Sequence, residues 1–162
     1  MVRIEAGGID RLTEIVQVNE GIFKNLYPCE PFSLEQYRQK IGERPNIMIA
    51  THRGRIVGNS IGFARKDAWY TWILGVVPEF RERGIGKRLL QSQEAYAFWS
   101  GYRLATIKVY NVSKEMQQLV RDHGYKAAGM EKSRDHPSPE FDAVRFERPL
   151  YLAVKRKPKS PV

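Results

Sequence analysis

A chain of 162 residues, 42% hydrophobic and 28% charged, is the size of one domain with its own core and has the apolar content of an ordinary soluble globular protein. Its formal charge of +9 favours anionic partners without choosing among nucleic acid, anionic membranes and small anions. No run approaches the ~18 apolar residues of a membrane span, and the N-terminus lacks the long apolar stretch of a secretory signal. The single cysteine, Cys29, excludes an internal disulfide and fits a reducing, cytoplasmic location.

Val2 to Ala6 reads as a short strand, broken by Gly7-Gly8. Asp10 is placed to cap a helix with Leu12, Ile15, Val16 and Ile22-Phe23 on its apolar face. Pro28 and Pro31 mark a loop, and Cys29 within it reads as a loop thiol rather than a nucleophile. Ser33 with Gln36 resembles a capping box for a second helix, to about Ile41. Asn46–Thr51 and Arg55–Arg65 form a hairpin around His52-Arg53-Gly54.

Trp69 to Val77 is nearly all apolar or aromatic, which predicts a strand buried on both faces and central in its sheet. Gly84 to about Trp99 is a helix with Ile85, Leu89, Tyr96 and Trp99 along one side, closed by Gly101. In Leu104–Tyr110 the residues Ala105, Ile107 and Val109 face one way. Ser113 caps a helix to His123, which Gly124 ends. Tyr125–Lys132 and Ala143–Leu150 are the last strands, joined by the Pro-containing loop Asp135–Phe141. Residues 1–151 therefore read as a single domain, and 152–162 as a basic, flexible tail carrying Lys155-Arg156-Lys157. There is no internal repeat and no low-complexity segment.

The most informative stretch is Val76-Val77-Pro78-Glu79-Phe80-Arg81-Glu82-Arg83-Gly84-Ile85-Gly86-Lys87-Arg88-Leu89. A strand stops, the chain turns on glycines, and a helix begins. The first N–H groups of a helix lack internal partners and sit at the positive end of its dipole. Glycines let the backbone approach a ligand closely. Together these make a seat for phosphate groups, with Arg81, Arg83, Lys87 and Arg88 around it. A P-loop is excluded because Arg88 follows Gly86-Lys87, and the dinucleotide fingerprint fails at Leu89.

The same residues resemble the acetyl-CoA motif of the GNAT superfamily of N-acetyltransferases, in which Val-x-Pro leads to (Gln/Arg)-x-x-Gly-x-(Gly/Ala). Val76, Pro78, Arg81, Gly84 and Gly86 match it in register. The order of elements is also that of the GNAT fold. The resemblance implies a mixed α/β domain, a central mixed sheet of about seven strands flanked by about four helices. His123-Gly124-Tyr125 is similar to the family's Leu-Gly-Phe junction after the last helix.

What the resemblance implies chemically is transfer of acetyl from acetyl-CoA to a primary amine by direct attack on the thioester. Leu74 and Val76 would lie beside the pantetheine, with a backbone N–H near Leu74 polarising the thioester carbonyl. Arg81, Glu82, Arg83, Gly84, Ile85, Gly86 and Lys87 would hold the pyrophosphate. Asn111 or Ser113 would bond the pantetheine, or either would be only a helix cap. Gly75 suits either an irregular splayed strand or close packing of a helix.

Two positions depart from the family pattern. Tyr70 stands where some members carry a catalytic Glu, and a tyrosine is a poor base at neutral pH. Val120 stands where many carry the Tyr that protonates the departing thiolate, and Tyr110 and Tyr125 are not assigned to replace it. Asp67, Glu30 or a water chain remain as routes for the amine proton. These gaps keep open a non-catalytic acyl-CoA sensor, and the net charge a basic nucleic-acid-binding module, although no nucleic-acid motif is present.

His52, His123 and His136 have no metal-ligand spacing with one another or with Cys29, so no metal is expected. Acceptor specificity is expected in Gly21–Ile41 and Asp135–Phe141. The positive charge favours neutral or anionic amines over polyamines. A homodimer is left open.

Overall fold

The computed structural model describes residues 1–24, 31–134 and 137–151. Among these, the elements follow the expected order: β1 (Arg3–Ala6), α1 (Leu12–Phe23), α2 (Leu34–Ile41), β2 (Asn46–His52), β3 (Arg55–Arg65), β4 (Ala68–Val76), α3 (Ile85–Trp99), β5 (Leu104–Tyr110), α4 (Lys114–Asp122), β6 (Lys126–Glu131) and β7 (Ala143–Pro149). The strands form one mixed sheet, β1-β2-β3-β4-β5-β7-β6. The aromatic strand β4 is the fourth of seven, and its pairing with β5 is the parallel one. No helix among the described residues is long and apolar enough to cross a membrane.

The sheet separates two apolar layers. On one face Leu12, Ile15 and Val16 of α1 and Tyr37 and Ile41 of α2 pack on Ile47, Ile49, Ile61 and Ile73. On the other, Ile85, Leu89, Leu90 and Ala97 of α3 pack on Ala105, Ile107, Val109 and Phe146. The alternation expected for β5 points its apolar residues at α3. β4 feeds both layers, with Trp69 and Leu74 on one side and Ile73 on the other.

The helix starts differ in how their free N–H groups are treated. At α2 the capping box forms: Gln36 N–H donates to Ser33 Oγ at 3.2 Å and Ser33 N–H to Gln36 Oε1 at 2.8 Å. Asp10 does not cap α1; it lies inside a 3-10 turn, Ile9–Arg11, that runs directly into the helix. Ser113 precedes α4, but its hydroxyl makes no cap bond.

The buried face of α3 also departs from its apolar pattern. Trp99 is 49% exposed, while Gln93 and Glu94 are almost completely buried. The buried arc runs through Leu89, Leu90, Gln93, Glu94 and Ala97. Apolar spacing alone misplaced it because two of its members are polar.

These buried polar groups are bonded. Gln93 Oε1 accepts from Trp69 Nε1 at 3.0 Å and Asn46 Nδ2 at 3.3 Å. Its Nε2 donates to Ser60 Oγ at 2.9 Å and the Asn46 carbonyl at 3.0 Å. One side chain thus ties α3 to β2, β3 and β4. Gly62 makes room for it, since a Cβ there would lie 2.5 Å from both Gln93 Oε1 and Trp69 Nε1. Glu94 receives Arg148 Nη1 at 2.9 Å and has His123 Nε2 at 2.6 Å, joining α3, β7 and the end of α4. On the opposite face Asn19 and Asn59 exchange reciprocal amide bonds of 2.6 and 3.2 Å, and Asn19 Nδ2 also donates to Tyr37 OH at 3.1 Å.

Replacing Gln93 by the similarly sized Leu leaves the Trp69 and Asn46 donors buried without their acceptor. Gln93→Leu is expected to lower the unfolding free energy by roughly 2–4 kcal/mol. Gly62→Ala should destabilise as well, by forcing the same bonds apart. Urea denaturation curves at equal m-value check both; wild-type midpoints would show that this network is dispensable.

Candidate functional site

β4 and β5 stay paired only at Trp69↔Ala105, Tyr70↔Thr106 and Thr71↔Ile107. Beyond that point β5 continues with β7 as far as Tyr110, and β4 continues with β3. The parting begins at a bulge: Gly62 opposes Thr71 and Ile61 opposes Ile73, leaving Trp72 without a partner residue. A bulge bends its strand, which carries the end of β4 away from β5.

The parted edge exposes backbone. Val77 N–H donates to the Val57 carbonyl at 2.8 Å. Alternate residues of a strand direct their backbone groups to opposite edges. Leu74 and Val76 therefore direct theirs at the gap that β5 has left. Gly75 has a different role. A Cβ on it would lie 2.9 Å from Ile22 and 3.0 Å from Phe23, so the glycine lets α1 pack onto the strand, while the irregularity sits at Trp72.

After β4 the chain makes a 3-10 turn, Pro78–Phe80, and enters α3 through two residues with positive φ, Glu82 at 62° and Gly84 at 75°. Glycine adopts that conformation freely; Glu82 does so as a strained residue. Among the described residues, the six backbone N–H groups from Glu82 to Lys87 have no hydrogen-bond partner. They form an anion-seeking concavity at the positive end of α3. Gly86 also presses against α4: a Cβ there would be 3.2 Å from Leu119.

The side chains around this turn divide. Arg81 bends back, its Nε donating to the Val76 carbonyl at 3.1 Å, and it still lines the groove together with Glu82 and Lys87. Arg83 does not line the groove; it lies over the Phe80 ring at 4.8 Å and donates to the Glu79 carbonyl at 3.1 Å. The Ile85 side chain is buried in the core, so only its backbone faces the turn. Between the two alternatives near α4, Ser113 lines the groove and Asn111 does not. Asn111 Oδ1 accepts from Lys114 Nζ at 3.1 Å, and its N–H donates to the Asp142 carbonyl at 2.8 Å.

A groove of about 2070 Å³ connects the turn, the gap and the face of α1 and α2. Its far end is aromatic. Trp72 has Tyr37 at 5.1 Å, Phe32 at 5.8 Å and Phe63 at 6.3 Å, and Phe63 meets Tyr70 edge-on at 5.5 Å. Burial, opposed by the nearby Arg65, pushes the Tyr70 phenol up to about 12. Tyr70 thus keeps its proton throughout the neutral range and is a donor, not a base.

Of the other phenols, Tyr110 lines the groove and Tyr125 does not. Tyr125 is buried, and that burial raises its phenol well above the ordinary range. Val120 is fully buried in the core. Asp67 is exposed in the β3–β4 turn and off the groove, whereas Glu20 on α1, which the sequence did not single out, lines it. Glu30 and Cys29 fall outside the described residues, as do parts of the two segments expected to select the acceptor.

The family model for an acetyltransferase (GNAT) domain matches residues 43–127. No curated protein sequence matches the chain. Among solved structures, the chain is similar to the ribosomal-protein-S18-alanine N-acetyltransferase from Escherichia coli, with TM-score 0.79, 17% identity, and coverage of 94% of this chain and 96% of that one. It is similar to a phosphinothricin acetyltransferase from Sinorhizobium meliloti in complex with acetyl-CoA, with TM-score 0.77, 20% identity, and coverage of 92% and 88%. It is also similar to yncA from Salmonella typhimurium with acetyl-CoA, with TM-score 0.75, 12% identity, and coverage of 94% and 95%.

The shifted phenol has a consequence for stability. Between its unfolded value near 10 and about 12, the folded chain holds a proton that the unfolded chain has released. Stability must therefore fall as pH rises through that window, with a slope of at most about 1.4 kcal/mol per pH unit from this one group. Tyr70→Phe is expected to flatten the alkaline limb of a stability-against-pH profile. An unchanged limb would place the Tyr70 titration at its ordinary pH.

Proposed function

Because the chain belongs to the GNAT acetyltransferase family, we propose that it transfers the acetyl group of acetyl-CoA to a primary amine by direct attack of that amine on the thioester. The carrying observation is the run of unpartnered N–H groups from Glu82 to Lys87, set where the groove opens toward the parted end of β4. The pyrophosphate of acetyl-CoA matches that run in charge, and Arg81 and Lys87 add two cations beside it.

From there the pantetheine would follow the gap, pairing with the backbone of Leu74 and Val76 as a missing strand would. Ser113, whose hydroxyl makes no cap bond, stands on the same groove to bond the arm. The amine nitrogen, neutral when it reacts, forms a bond to the thioester carbon. The backbone N–H of Leu74 accommodates the charge that gathers on the carbonyl oxygen. The carbon–sulfur bond breaks, the nitrogen loses a proton to water in the open groove, and the CoA thiolate takes up a proton. Holding both reactants in one groove makes the encounter effectively unimolecular, and that positioning supplies much of the rate.

The test is calorimetric titration with acetyl-CoA, repeated on Gly86→Glu, followed by CoA-thiol release against a broad amine panel. The added side chain must move Leu119 of α4 aside as it brings a carboxylate beside the run of N–H groups, so binding should weaken tenfold or more while an unchanged urea midpoint shows that the fold is kept. Equal affinity in the two proteins would refute the seat. Tight acetyl-CoA binding with no amine acetylated would instead identify an acyl-CoA sensor.

A further inference from the structure

The far end of the groove gathers positive charge that the acetyl-CoA seat does not use. The Arg65 guanidinium lies 5.2 Å from the centre of the Tyr70 ring, and Lys108 Nζ lies 5.8 Å from the same ring. Lys40 of α2 lines this end with them. Its ammonium is pushed below its ordinary range, by burial first and then by the positive charges of Arg65 and Lys108. Three cations from three separate elements thus face one space, and a helix and two strands must be folded together to hold them there.

Their neutralisation is incomplete. Glu131 accepts from Lys108 Nζ at 2.6 Å, and the same carboxylate lies close enough to Arg65 to feel its charge without pairing with it. Glu20, also on the groove, lies near Tyr37 and has no ion pair among the described residues. Neither Arg65 nor Lys40 has a carboxylate within ion-pair distance among the described residues. Lys132 and Arg134 add further cations to the same groove. Like charges held together at a site repel, and an anion bound among them removes that cost. Guanidinium is the side chain best shaped for a carboxylate or phosphate, which it grips through two parallel bonds.

Beside the cations stands the aromatic wall of Trp72 and Phe32, with Phe63 packed behind Trp72 at 6.3 Å, and Phe32 is 49% exposed. Resting on the acetyl-transfer reading, we infer that the acceptor is a small amine that also carries an anionic group, a carboxylate or a phosphate, held by Arg65 and Lys40, with any apolar body lying on Trp72 and Phe32. The anion anchors the molecule at the far end of the groove and leaves its amine free to reach the gap beside Leu74. Lys108, tied to Glu131, borders the anion without being free to grip it.

Matched pairs test this at saturating acetyl-CoA: phenylalanine against phenethylamine for the carboxylate, and phosphoethanolamine against ethanolamine for the phosphate, with spermidine as the cationic control. In at least one pair the anion-bearing member should show kcat/KM at least tenfold higher, and which pair responds distinguishes carboxylate from phosphate. Arg65→Gln and Lys40→Gln should each raise KM for that member about tenfold or more and shrink the difference within the pair, with the acetyl-CoA Kd from calorimetry unchanged. Rescue by Arg65→Lys should be partial, because lysine keeps the charge and loses the fork. Equal or better turnover of the anion-free members, a preference for spermidine, equal effects of Arg65→Gln on both members of a pair, or no acetylation of any anion-bearing amine would each overturn the proposal. Absence of acetyl-CoA binding to the wild-type protein is a separate outcome that would overturn acetyl transfer itself.

Discussion

The parting of β4 from β5 after the Thr71↔Ile107 pair is the constraint on which the site depends. A parallel pair that stops early leaves two strand edges with unsatisfied backbone groups, and such edges cost free energy unless something bonds them. The bulge at Trp72 starts the separation, and the turn through Glu82 and Gly84 carries the chain across its mouth into α3. The groove, the turn at its mouth and its aromatic end all follow from where those two strands diverge.

A sheet opened in its middle needs ties elsewhere, and these are polar. On one face Asn19 and Asn59 hold α1 to β3, and Tyr37 joins them from α2. On the other, Gln93 connects α3 to three strands, and Glu94 gathers Arg148 and His123. Apolar contacts would permit each helix to slide; directional bonds do not, and an unmet buried amide is costly enough to enforce one arrangement. The helix starts divide in the same way. The capping box of α2 bonds the N–H groups of Ser33 and Gln36, whereas among the described residues those from Glu82 to Lys87 at the start of α3 have no partner, which leaves that helix start able to attract an anion.

Part of the formal charge of +9 is gathered on the groove. Arg81 and Lys87 flank the turn, and Arg65, Lys40 and Lys108 crowd the far end of the groove. One continuous groove therefore carries cations at both ends, with the parted strand between them, interleaved with Glu82, Glu115 and Asp122 near the turn and Glu20 and Glu131 at the far end.

The sequence by itself determined the order and kind of elements, the central place of the aromatic strand, the capping box of α2 and the glycine turn. Each is written in local spacing: apolar periodicity, a serine three residues before a glutamine, glycines where the backbone needs positive φ. It did not determine the buried face of α3, because Gln93 and Glu94 lie inside and Trp99 outside, against the apolar pattern. Nor did it determine that Ser113 rather than Asn111 lines the groove, that Arg83 turns away onto Phe80, or that Gly75 serves the packing of α1. Those were decided only by tertiary structure, since each depends on a partner more than a few residues away or on the direction a side chain takes once its neighbours are placed. The cluster of Lys40, Arg65 and Lys108 is the fullest case: along the chain these are three scattered charges, and only the meeting of α2, β3 and β5 brings them to one end of the groove.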